Sequence, residues 1–151
     1  MDDRFEHFTY LILKTSKLIQ RLKTLEVEEY GLKAVHVMCI YCLNKSKNGL
    51  TSKELVEYTQ EDKAAISRAL NLLKKKNIVN YDSSKYSEPI LLTNYGKEIA
   101  KEIDRKSIIA LHKSSESISE QERCKLYVTL EKILNNIENY YQEKLDERGN
   151  K

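Results

Sequence analysis

The chain has 151 residues, 40% hydrophobic and 32% charged, a balance that fits one folded domain with appended helices and excludes a disordered chain. Its net charge of +3 is mild, so a nucleic-acid partner has to be argued from where the cations sit and not from their sum. Three cysteines, an odd number, argue against a disulfide framework.

The acidic start, Met1-Asp2-Asp3, runs straight into an amphipathic segment and lacks the basic region and cleavable apolar core of a secretory signal. From about residue 3 to residue 25, Phe5, Phe8, Ile12, Ile19 and Leu22 keep three- and four-residue steps, which predicts a helix. Leu11, Leu18 and Leu25 add a second stripe, so this helix has two surfaces to bury, one against its own chain and one against a partner. Residues 26–32 read as a polar connection around Gly31. The next helix, about 33–44, is apolar nearly all round and belongs in the middle of a core. Its longest nearly apolar run, 35–43, is far shorter than the roughly 20 residues that cross a bilayer, so no membrane partner and a cytoplasmic location are expected. Lys45 to Gly49 is a turn, marked by Asn48-Gly49.

Residues 50–93 carry the clearest grammar. Thr51-Ser52-Lys53-Glu54 is a capping box that starts a helix of about two turns, broken by Tyr58-Thr59-Gln60-Glu61-Asp62. A second helix, about 62–76, sets Ile66, Leu70 and Leu73 on one face, while Ser67, Arg68, Asn71 and Lys75 fall on the other. It ends at Lys74-Lys75-Lys76-Asn77, lysines suited to the negative end of the helix dipole and an asparagine that tolerates the left-handed conformation. Ile78-Val79 and Ile90-Leu91-Leu92 predict a short hairpin around the polar tip 82–89, and Thr93 caps the next helix.

That helix is long, running to about Ser114, and carries Ile99, Ile103, Ile108, Ile109 and Leu111. After an interruption at 114–117, Ser119-Glu120-Gln121-Glu122 forms a second capping box. The final helix then repeats Leu126, Leu130, Ile133, Ile137 and Tyr140 at four-three-four-three steps. The first and last helices have more apolar surface than one small domain covers. They predict a dimerisation unit, with packing of the two on each other inside one chain as the alternative.

The fold expected is therefore mainly α with a small β-wing: a winged helix-turn-helix over 33–106, plus N- and C-terminal dimerisation helices in 1–32 and 107–151. The ordered set Leu50-Thr51…Glu54-Leu55, Asp62-Lys63…Ser67-Arg68, Leu73…Lys76-Asn77-Ile78-Val79 and Leu92-Thr93…Gly96 resembles the MarR family of dimeric bacterial transcription regulators. The resemblance implies a homodimer on double-stranded DNA, at a pseudo-palindromic operator with half-sites about one helical turn apart, regulating transcription as a repressor. It implies an interface through Phe5, Phe8, Leu11, Ile12, Leu126, Leu130, Ile133, Ile137 and Tyr140.

A winged helix puts its second helix in the major groove while a helix N-terminus and the wing hold phosphates. On that basis Lys63, Ala64, Ser67 and Arg68 face base edges, Arg68 as the bidentate guanine reader. Thr51, Ser52, Asn71 and Lys75 face phosphates, and Lys85 and Tyr86 stand at the wing tip, where the family's usual arginine is missing. Each also has a plain reading: Arg68 paired with Glu61 or Asp62, Ser67 a surface serine, Lys75 a dipole partner.

Family members often answer to small phenolic or apolar effectors, and Tyr10, Lys14, Tyr30, His36 and His112 are the polar groups that would wall such a crevice, or simply packing residues with a solvated edge. Cys39 and Cys42 share a helix face with no second Cys or His pair at metal spacing, so no metal and no cofactor are expected, and core thiols are the ordinary reading. Cys124 lies near a helix start, between Arg123 and Lys125. No phosphate loop, nucleophile elbow or paired-histidine motif appears, which argues against an enzyme. The competing readings are a protein-interaction module without specific DNA binding and a thiol-based redox switch.

Overall fold

The computed structural model describes residues 4–82 and 88–149. It is mainly α, with one two-stranded antiparallel sheet. The chain divides into two compact units, Met1–Ile108 and Ile109–Lys151.

In the first unit α1 (Arg4–Glu26) runs into a single 3-10 turn (Glu28–Tyr30) closed by Gly31 at φ 64°. The connection is less polar than its sequence suggests. Val27 and Leu32 are buried, because the turn folds both inward with Leu32 N–H on Val27 O. α2 (Ala34–Lys45) is the central helix, packed by α1, α3, α4 and β2, which is why it is apolar nearly all round. Ile40 and Cys39 are fully buried within it.

α3 (Ser52–Thr59) opens on the expected capping box: Glu54 N–H donates to Thr51 Oγ1 and Thr51 N–H donates to the Glu54 carboxylate at 2.7 Å. Gln60 in the left-handed region, φ 58°, ends it after two turns. Asp62 then caps α4 (Lys63–Lys75), accepting from Ala65 N–H at 2.7 Å. Ile66, Ala69, Leu70 and Leu73 bury one face of α4 against the core, while Asn77 at φ 57° turns the chain out of the helix.

The hairpin is β1 (Val79–Asn80) with β2 (Leu91–Leu92), Val79 opposite Leu92 and Asn80 opposite Leu91. Ile78 lies just before the strand, and Ile90 pairs backward with Leu50 as an isolated bridge, so the segment before α3 is fastened to the wing.

α5 (Asn94–Ser114) is seated on the hairpin by Thr93. Its hydroxyl donates to Asn77 O at 2.6 Å and accepts from Gly96 N–H at 2.9 Å, while its own N–H donates to Ile78 O at 3.0 Å. Gly96 is required by space: a Cβ there would stand 2.1 Å from Ile78 O. These contacts are the physical content of the Leu92-Thr93…Gly96 string.

In the second unit, Ser117 at φ 68° ends the break after α5, and Ser119 and Glu122 form the predicted capping box. α6 (Glu120–Gly149) then runs for about 45 Å at 1.5 Å per residue. No described residue of α1 or of α6 is buried.

Candidate nucleic-acid interface

The candidate surface is built by the α3–α4 pair. The core side of α4 is fixed by four buried residues, and helical periodicity therefore turns Lys63, Ala64, Ser67, Arg68, Asn71 and Lys75 to the other side, all of them exposed. The ion pair between Arg68 and Glu61 or Asp62 does not form among the described residues, since Asp62 is committed to capping the helix. Lys63 occupies the first helical position and Arg68 the second turn, both exposed.

Thr51 and Ser52 sit at the start of α3, half-buried. The Thr51 hydroxyl and amide are already engaged by Glu54, whose carboxyl is held below its ordinary pKa of 4.5 by the Thr51 amide first and the Thr51 hydroxyl second. An anion arriving there would meet a carboxylate on Thr51, and the Ser52 hydroxyl is the better donor of the pair.

At the wing base a contact appears that periodicity could not reveal. Lys74 donates to Tyr81 O at 2.9 Å with its ammonium 4.5 Å from the centre of the Tyr81 ring, and the Tyr81 hydroxyl stands 3.5 Å from Asn71 Oδ1. Burial raises the pKa of that phenol. Asp82 N–H donates to the Glu88 carboxylate at 3.0 Å. The two wing-tip residues, Lys85 and Tyr86, lie outside the described residues.

Two cavities flank this surface within the first unit. One, about 560 Å³, is walled by Gln20, Arg21, Thr24, Leu25, Glu28, Lys33, Ala34, Val35 and Glu61. The other, about 320 Å³, is walled by Lys33, Val35, His36, Ala65, Arg68, Ala69 and Leu72. They share Lys33 and Val35, and the second ends on Arg68.

Of the five residues expected at an effector crevice, only His36 lines either cavity. It is buried with Nδ1 accepting from Lys33 N–H at 2.8 Å, and burial, aided by the Lys33 and Lys76 charges, lowers its pKa below 6.5. Tyr10 and Lys14 pair with each other on α1 at 3.0 Å. Tyr30 lies beyond the far end of α1 beside Lys106, whose ammonium is 5.9 Å from its ring centre. His112 is exposed on the last turns of α5. Arg21, Lys33 and Glu61 escape a reading by periodicity, because a cavity wall drawn from helix ends and turns has no sequence period.

The cysteines are free. Cys39 is fully buried and burial pushes its thiol up to about 12, and Cys42, half-buried, is raised by the same cause. Both are poor nucleophiles near neutral pH. Cys124 is exposed. Among the described residues no group of three or more His, Cys, Asp and Glu is placed to hold a metal ion, and no helix is long and apolar enough to cross a membrane.

No protein-family model and no curated protein matches the sequence. Solved structures do. A MarR transcriptional regulator from Methanosarcina mazei is 20% identical with a TM-score of 0.77, over 90% of this chain and 91% of that one. A MarR/EmrR family regulator from Acinetobacter, also 20% identical, has a TM-score of 0.77 over 92% and 99%. The Staphylococcus aureus MepR protein, solved as a complex with DNA, is 19% identical with a TM-score of 0.76 over 86% and 97%. At these identities the likeness is one of fold.

Proposed function

We propose that this chain, whose fold is the MarR-type winged helix, is a homodimeric, sequence-specific DNA-binding regulator of transcription that acts as a repressor at a pseudo-palindromic operator. One observation carries the reading: the outer side of α4 exposes Lys63, Ala64, Ser67, Arg68, Asn71 and Lys75 together, with its cations free of ion pairs among the described residues. An exposed helix face of hydrogen-bonding and cationic groups suits a major groove. Arg68 reads guanine, Lys63 and Ser67 read neighbouring edges, and Ala64 meets a thymine methyl. Ser52, Asn71 and Lys75 hold phosphates, while Thr51, whose amide and hydroxyl both donate to Glu54, serves as the cap of α3.

Homodimerisation through 1–32 and 107–151 is supported by the apolar side chains left exposed on α1 and α6: Phe5 is 68% exposed, Tyr140 61%, and Leu11, Ile12, Leu126 and Ile137 are all exposed, with Phe8, Leu130 and Ile133 half-exposed. Rows of apolar side chains this long would be unusual on a monomer. Ligand control is supported by the cavity between Lys33 and Arg68, where a small phenolic ligand held beside Arg68 would engage the guanidinium that DNA also needs.

Selection of bound fragments from random duplex DNA tests the proposal. The expected result is an inverted repeat whose retention falls steeply with salt. A double variant, Lys63→Ala with Arg68→Ala, that binds the selected repeat as tightly as the parent chain defeats it.

A further inference from the structure

The contact between the wing base and α4 does more than hold two elements together. Lys74 meets Tyr81 twice, its ammonium donating to the main-chain carbonyl at 2.9 Å, which ties that segment to α4, and standing 4.5 Å from the ring centre, a contact the ring gives up if it swings away. The Tyr81 hydroxyl lies 3.5 Å from Asn71 Oδ1, at the long end of a hydrogen bond, and gives the amide oxygen a donor on that side. A side-chain amide has one accepting and one donating end. With Oδ1 turned to Tyr81, Nδ2 is the end left outward, on an exposed residue of the candidate DNA face.

We infer that Tyr81 is a positioning residue that sets Asn71 as a hydrogen-bond donor to a phosphate oxygen, with Lys74 holding Tyr81 in place. The inference rests on the DNA-binding reading and deepens it. A donor-only amide suits phosphate, which only accepts, and is unsuited to adenine, whose recognition by asparagine uses both ends. Lys74 keeps its charge but, held at the Tyr81 carbonyl and ring, is assigned no phosphate of its own.

The test uses the full-length protein and a duplex carrying the inverted repeat it selects, with an unrelated duplex as comparison. Tyr81→Phe keeps the ring under Lys74 and removes the hydroxyl. Affinity is expected to fall about two- to fivefold on both duplexes, as loss of a phosphate contact weakens all sequences alike. The effect should vanish in an Asn71→Ala background. A scan replacing single phosphates with neutral methylphosphonates should find a position that weakens the parent chain but not Tyr81→Phe. Lys74→Gln should leave the slope of log affinity against log salt unchanged. Equal affinity of Tyr81→Phe and the parent chain, or an undiminished Tyr81→Phe effect without Asn71, overturns the inference while DNA binding stands. A parent chain that retains no duplex removes both.

Discussion

Replacing Gly96 by alanine should cost this fold a large part of its stability, although alanine is the better helix former. The added Cβ would lie 2.1 Å from Ile78 O and 3.1 Å from Ile78 C, well inside ordinary contact. Ile78 is 1% exposed, and its carbonyl accepts from Thr93 N–H at 3.0 Å, so it cannot yield without breaking the joint between α4, hairpin and α5. Overpacking against backbone costs about 3 kcal/mol. The weakened bond adds about 1 kcal/mol. Alanine returns about 1 kcal/mol of helix propensity. The net loss is about 3 kcal/mol, which at 2–4 °C per kcal/mol for a chain of this size lowers the melting midpoint by roughly 6–12 °C. Thermal unfolding followed by circular dichroism, at equal protomer concentration because a dimer's midpoint depends on it, reads the shift directly. A Gly96→Ala protein melting within about 2 °C of the parent would refute the steric argument.

Glu54 has a depressed folded-state pKa, so its contribution is complete above about 4.5 and lost as pH falls through the folded value. Glu54→Gln should flatten acid unfolding in that range, and unchanged acid curves would contradict the capping assignment. His36, a base whose pKa the fold lowers, stabilises fully above about 6.5 and loses its contribution on acidification, so stability should decline below that pH in the parent chain and less in His36→Asn. Ile133→Glu with Ile137→Glu, on the apolar stripe of α6, should keep the helical signal and yield a monomer by sedimentation; a persisting dimer would move the interface elsewhere. Iodoacetamide should label Cys124 promptly and Cys39 only after denaturation, as mass spectrometry of the digested protein would report.

Features that one helix or one turn decides by itself are legible in the sequence. The Thr51–Glu54 and Ser119–Glu122 boxes, the left-handed Asn77, and the burial of Ile66, Leu70 and Leu73 opposite Ser67 and Arg68 all follow from spacings of a few residues. Hidden features depend on distant residues meeting. Gly96 reads as part of the string that opens a helix, but the approach of Ile78 O that demands glycine there is not visible in it, and the pairing of Leu50 with Ile90 joins segments that no local pattern links. Val27 and Leu32 are lost among the glutamates of a connection that the 3-10 turn folds inward. At the site, the cations of α4 are readable from periodicity. The Tyr81–Asn71 contact and the cavity shared by Lys33 and Arg68 are not, because each is assembled from separate elements.

Whether the outer face of α4 reads base sequence is decided by fluorescence anisotropy with the selected inverted repeat and with a version altered at its guanine steps, across a salt series. Arg68→Ala is expected to bind the selected repeat about 10- to 100-fold more weakly and to lose most of its preference over the altered one. Undiminished preference for the selected repeat in Arg68→Ala would contradict it.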